Sequence, residues 1–302
     1  MTATFSDATI ERLIRISKEK PLLPETYVPW HEQIREEERF MPEHLISLQG
    51  HPLWQTLRPE QQRELGRHEV VQVMYSYAWS EGLACLFFNR HLLTLSPESV
   101  EYRFLLRELI EEFRHQEMFG SVVSKLEGKP VAPGFWHRFW GNLSVRQMPP
   151  DFVFMSVLAV ELMTDVYGKH IRRDEQVALF LRKVSELHNI EEGRHIFYNK
   201  LWLERFTANA GFLRRSAYSV MVLINLYFVC TLYVKAEIFE RIGVQNPKQY
   251  ARAASQNLRQ KLGAHCLEDA VEFVKGFRGF NWLTRPLWRW VLKTKVQSEP
   301  RL

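Results

Sequence analysis

A chain of 302 residues, 46% hydrophobic and 13% aromatic, carries enough apolar surface for one large core, which excludes a disordered or low-complexity protein. Its formal charge of +5 is mild and spread along the chain. The basic clusters at Arg214-Arg215 and at Arg285, Arg289, Lys293 and Lys295 match no nucleic-acid-binding motif, so they read as solvated surface and no nucleic-acid partner is expected.

Cys85, Cys230 and Cys266 are far apart and odd in number, which gives no disulfide framework. Met1 to Lys20 carries charges throughout and no continuous apolar run, so no secretory signal is read and a cytoplasmic location is expected.

In chain order, Ser6 or Asp7 caps a short amphipathic helix through Ile16, and Pro21, Pro24 and Pro29 then enforce an extended stretch. Arg58-Pro59-Glu60 opens a long helix, because proline is tolerated in the first turn. This helix carries Glu81 inside apolar sequence. Ser96-Pro97-Glu98 predicts the next helix, capped by Ser96 and running to about Leu126, with Glu111-Glu112-Phe113-Arg114-His115 within it.

Gly128 to Pro150 is rich in proline and glycine and predicts a long connection with a short aromatic helix at Phe135 to Trp140. From Asp151 a third helix carries Glu161, and Asp174-Glu175 predicts the start of a fourth containing His188 to His195. Ala217 to Val234 is uncharged and strongly apolar but interrupted by Ser219, Asn225 and Thr231, so it reads as a buried helix and no membrane partner is expected. A polar helix after Asn246-Pro247 and a tail with Trp282, Trp288 and Trp290 complete the cover. No strand-like alternation of useful length occurs.

The chemistry lies in a repeat. Glu112-x-x-His115 recurs as Glu192-x-x-His195, and each motif glutamate follows by the same interval a glutamate set in apolar sequence, Glu81 and Glu161. At about 100° per residue, His188, Glu192 and His195 share an arc of roughly 60° on one helix. A single Glu-x-x-His reads as a solvated face. Two copies with matched upstream glutamates point instead to a four-helix bundle whose helices direct carboxylates and imidazoles inward, the arrangement of a di-iron or di-manganese carboxylate centre. Glu111 and Glu191 are placed to orient the ligand histidines across the bundle, with Asp165 a weaker candidate. His91, His137, His170 and His265 fall outside the inward pattern and read as surface or capping residues.

Glu81, Glu112, His115, Glu161, His188, Glu192 and His195 together resemble the seven-ligand set, with its added histidine, of the AurF-like di-iron N-oxygenases typified by p-aminobenzoate N-oxygenase. The resemblance implies an all-α, ferritin-like four-helix bundle with additional covering helices. One oxygenase domain over 1–302 is expected, with a wrapping segment at 1–70, a metal-binding core at 71–205 and covering helices at 206–302. It also implies two non-haem iron ions, with manganese the alternative, and dioxygen as co-substrate. The expected reaction is N-oxygenation of an aryl amine to a hydroxylamine or nitro product in natural-product biosynthesis, fed by an external electron donor and compatible with a homodimer.

A carbon hydroxylase or desaturase and a non-catalytic ferritin-like iron-binding protein are the alternatives. A radical-generating subunit is disfavoured because Phe119, one turn after His115, stands where a tyrosine would be required. Tyr77, Ala78, Cys85, Leu105, Phe119, Val157 and Leu158, each about a turn from a ligand, are the expected pocket residues.

Overall fold

Serine and proline set the helix ends in the computed structural model, which describes residues 6–292. Ser6 caps α1 (Asp7–Glu19), its hydroxyl accepting from the Thr9 N–H at 3.4 Å. After the single turn α2 (Pro24–Tyr27) the chain is irregular, with 3-10 turns at Glu43–Leu45 and Pro52–Thr56, until α3 (Pro59–Leu92). Pro59 occupies the first helical position of α3, and Gln61 Oε1 accepts from the Arg58 N–H at 3.0 Å.

The next helix, α4 (Val100–Lys125), starts later than expected. The Ser99 N–H donates to the Ser96 carbonyl at 3.0 Å and closes a turn, so the cap is Ser99, whose hydroxyl accepts from the Tyr102 N–H at 3.2 Å.

In the connection, α5 (Phe135–Gln147) continues well past Trp140. Gly141 allows this by letting α5 lie directly on α3: a Cβ at that position would stand 2.6 Å from Leu83 Cδ1 and 3.2 Å from the Trp79 ring. Gly141→Val should therefore destabilise the protein by about 1–3 kcal/mol, read as a lowered thermal midpoint. An unchanged midpoint would show that α5 can leave α3 without cost.

Pro150 starts α6 (Pro150–Arg173), whereas α7 (Leu179–Thr207) begins beyond Asp174-Glu175. The intervening backbone is claimed by a distant residue: the Arg39 N–H donates to the Gln176 carbonyl at 2.8 Å, and the Ala178 N–H donates to the Arg39 carbonyl at 2.9 Å. This isolated bridge is the one strand-like contact among the described residues.

The apolar segment forms α8 (Phe212–Tyr233), followed by α9 (Ala236–Arg241), α10 (Pro247–His265), α11 (Glu268–Gly276) and α12 (Thr284–Leu292). Lys293 and Lys295 lie outside the described residues.

The short loops make α3 with α4, and α6 with α7, two antiparallel pairs. These pack through α4 on α7 and α3 on α6, and the long connection crosses between them. Around this bundle, α1 lies on α4, α8 on α6 and α3, and α12 on α8. The all-α bundle with covering helices is the architecture read from the sequence. Its core includes Phe87, Phe88, Phe154, Leu162 and Leu203, and the three cysteines are buried and free. One segment, 212–241, is long and apolar enough to cross a membrane, and 56% of its most apolar stretch is buried.

Candidate metal centre

Each long helix of the bundle turns acidic or imidazole side chains inward. Glu81 comes from α3, Glu112 and His115 from α4, Glu161 from α6, and His188, Glu192 and His195 from α7. Glu81, His115, His188 and Glu192 each place one donor atom within 4.8 Å of the others, and so do Glu108, Glu112, Glu161 and His195. Donors around one ion at ~2.0–2.2 Å lie no more than ~4.4 Å apart, so either group could close on a cation with a small shift.

Glu112 and Glu192 link the groups. Glu112 oxygens lie 3.7 Å from His115 Nδ1 and 3.3 Å from His195 Nδ1, while Glu192 Oε1 lies 3.6 and 3.5 Å from the same two nitrogens.

Unsatisfied polar atoms provide the test of fit. His115 Nδ1, His195 Nδ1, both Glu108 oxygens and one oxygen each of Glu81, Glu112 and Glu192 are buried without a hydrogen-bond partner. Burying such groups unpaired is costly, and here they converge on one place. Glu81, Glu112, Glu161 and Glu192 can supply four negative charges, the number that balances two divalent cations, and Glu108 is a fifth carboxyl that burial pushes toward its neutral form. The donor set fits a metal pair.

Glu111 and Glu191 hold the rings from the opposite side, each across the bundle. His115 Nε2 lies 2.9 Å from Glu191, and His195 Nε2 lies 2.9 Å from Glu111. Arg114 donates to Glu191 at 2.9 Å, and Arg194 donates to Glu111 at 2.8 Å, so the two halves repeat one device. This leaves each Nδ1 facing the carboxylates. Burial opposes ionisation of Glu111, but the His195, Arg194 and Ser17 contacts outweigh it and hold its carboxyl at about 2. Burial likewise pulls the His115 ring down, while Glu112 and Glu191 lift it to about 9.

Asp165 does not join this layer. Its carboxylate is engaged by Asn189 at 2.8 Å and Lys169 at 2.5 Å.

Two residues escaped the sequence reading. Asn199, one turn beyond His195, donates to both oxygens of Glu161 at 3.1 and 2.9 Å. Glu108 stands four residues before Glu112, the offset at which His188 precedes Glu192, so the second group holds a carboxylate where the first holds an imidazole. Burial, with Glu112 and Glu192 nearby, pushes the Glu108 carboxyl up to about 8. Glu108→Gln keeps the volume but removes the anionic donor, so the second metal should bind roughly 10–100-fold more weakly. Metal titration by calorimetry checks this, and two unchanged binding steps would make Glu108 a bystander.

Beside the metal groups lies a cavity of about 120 Å³, mostly apolar, bounded by α3 and α6 and walled on the other side by α5 and α8. Tyr77 and Val157 line it as expected, but Ala78, Cys85, Leu105, Phe119 and Leu158 do not; Trp140, Phe228 and Leu232 take their place. Phe119 instead packs edge-on to His188, with ring centres 5.1 Å apart.

Of the histidines set aside, His137 lines the cavity and bonds Thr231 at 2.9 Å, and His91 is buried beside Phe87 and Phe154. His91 is thus buried rather than at the surface, and His137 is half-buried. His170 lies near His44 and His265 at the periphery.

The sequence profile of a family described as "P-aminobenzoate N-oxygenase AurF" matches residues 4–277. Among curated proteins, an uncharacterized protein of Mycobacterium bovis and one of Mycobacterium tuberculosis strain H37Rv are each 28% identical over 188 residues, covering 60% of this chain and 53% of theirs. A third, from Mycobacterium tuberculosis strain CDC 1551, is 29% identical over 161 residues, 51% of this chain and 46% of its own. The chain thus spans about half the length of the curated relatives it matches.

Proposed function

Since the chain belongs to the p-aminobenzoate N-oxygenase AurF family, we propose that it is a dioxygen-dependent di-iron oxidoreductase that adds oxygen to the nitrogen of a small aromatic amine. The observation that carries this reading is the meeting of the metal groups with the apolar cavity: Glu81, Glu112, Glu161, His188 and Glu192 belong to both.

Glu81, Glu112, His115, Glu161, His188, Glu192 and His195, with Glu108 as an eighth donor, would hold two irons, manganese being the alternative ion. Bound there, the pair would supply the electrons that activate dioxygen. In the net reaction one oxygen atom enters an N–H bond of the amine and the other leaves as water, taking up two electrons from an external donor and two protons.

The chain's own residues position the partners. The volume is close to the ~150 Å³ of an apolar cavity known to accept benzene, so it suits one aromatic ring. The apolar walls, from Tyr77 to Leu232, pack against the ring, and the amine is directed at the carboxylate-imidazole end. The lining contains no lysine or arginine, and burial lowers the affinity of the lining His137 for a proton. Away from the metal end, where His188 lies, a substrate carboxylate would therefore be buried without a cation, which favours an amine whose remainder is uncharged.

The test uses iron-loaded, reduced protein with labelled dioxygen and a panel of arylamines, read by mass spectrometry. Label on nitrogen is expected, with neutral anilines preferred over p-aminobenzoate by about tenfold or more in kcat/KM. Hydroxylation at carbon with the amine untouched would move the assignment to a di-iron hydroxylase.

A further inference from the structure

Like α10, helices α5, α8 and α12 contain no acidic residue, in a chain that has 35 of them. They carry six arginines, Arg138, Arg146, Arg214, Arg215, Arg285 and Arg289. The helices adjoin one another. On the inner side of α5, His137 bonds Thr231 of α8 and Trp140 stacks on Phe228, while at the other end of α8 Phe212 stacks on Trp282, just before α12.

The outer side of this layer is left apolar. Trp136 is 68% exposed, Leu213 79%, Trp282 77% and Trp290 74%, with Phe135 and Phe139 beside Trp136. Between these ends, Ala217 and Tyr227 stand exposed on α8 in helical register with Leu213, and Val220 and Ile224 are half-covered. A monomer seldom leaves so many large aromatic rings in water on one face.

We propose that this face docks on an anionic lipid surface, lying in the interface rather than spanning it. Tryptophan and tyrosine rings over apolar side chains, flanked by arginine and free of carboxylates, are the chemistry that seats helices at headgroup level. Spanning is opposed by α8 itself, whose inner side is committed to the bundle and whose Asn225 bonds Ser156 of α6 at 3.0 Å.

A second copy is the other candidate occupant, and charge argues against it. Arg214 is held by Asp151 at 2.7 Å, but Arg138 and Arg146 stand exposed, and a self-complementary contact would set arginine-bearing helices that carry no carboxylate of their own against each other. Because α5 and α8 also wall the cavity, docking presents that wall to the bilayer, where apolar amines concentrate.

Flotation of the full chain with vesicles decides the matter. Phosphatidylcholine vesicles containing phosphatidylglycerol should carry the protein, while pure phosphatidylcholine or high salt should reduce binding about tenfold or more. The double variant Trp136→Glu, Trp282→Glu should lose binding by a similar factor while keeping its helical circular dichroism and thermal midpoint, since both side chains are exposed. Absence of flotation with either vesicle would overturn the proposal, as would flotation undiminished in the variant. A concentration-dependent dimer that the double variant abolishes, without vesicle binding, would assign the face to a second copy.

Discussion

Glu192→Ala should leave fewer than one iron per chain and abolish dioxygen consumption, a loss of roughly a hundredfold or more. Three imidazoles converge on one oxygen of this carboxylate: His188 at 3.3 Å, His195 at 3.5 Å and His115 at 3.6 Å. Burial would neutralise an isolated Glu192, but His195 and His188 hold its carboxyl well below the usual range, so it stays ionised inside the bundle.

Removing it takes one donor from between both groups and leaves the rings facing a void. Elemental analysis of protein expressed with ample iron gives the stoichiometry, and an oxygen electrode gives the rate. Two irons retained in the variant would mean that Glu192 is not a ligand.

The inward set was legible because a helix converts sequence spacing into a face. His188, Glu192 and His195 share one side of α7 at three- and four-residue intervals, and the matched interval from Glu81 to Glu112 and from Glu161 to Glu192 marks the two antiparallel pairs.

Glu108 was hidden by chemistry rather than geometry. It occupies the repeat position of His188 but differs from it in type, and Arg107-Glu108 reads locally as a solvated helix face. The start of α7 could not be read near Asp174 because the deciding bonds come from Arg39, far away in sequence. The cavity wall was out of reach for a similar reason. Trp140 and Phe228 meet only after α5 and α8 fold over the bundle.

The crossed ion pairs carry the largest expected effect on stability. In Glu191→Ala, Arg114 loses its closest carboxylate, 2.9 Å away, and His115 Nε2 loses its buried partner at the same distance. Breaking one side of a buried pair strands charge, here leaving Arg114 only the more distant Glu111 at 3.9 Å, and up to about 3–5 kcal/mol of stability should be lost. The loss should also reach the metal. His115 would no longer be fixed with Nδ1 inward, so iron affinity should fall by ~10–100-fold even though Glu191 is not among the proposed ligands.

Denaturant unfolding of metal-free protein separates the first effect from the second, which a competition titration with a chelator measures. Adding Arg114→Met to Glu191→Ala should restore part of the stability, because the stranded charge is gone, but none of the affinity, because His115 still lacks its acceptor. If the single variant unfolded like the parent, the crossed pairs would be incidental to the bundle. If the double variant regained full iron affinity, orientation of His115 would have to come from the packing around it.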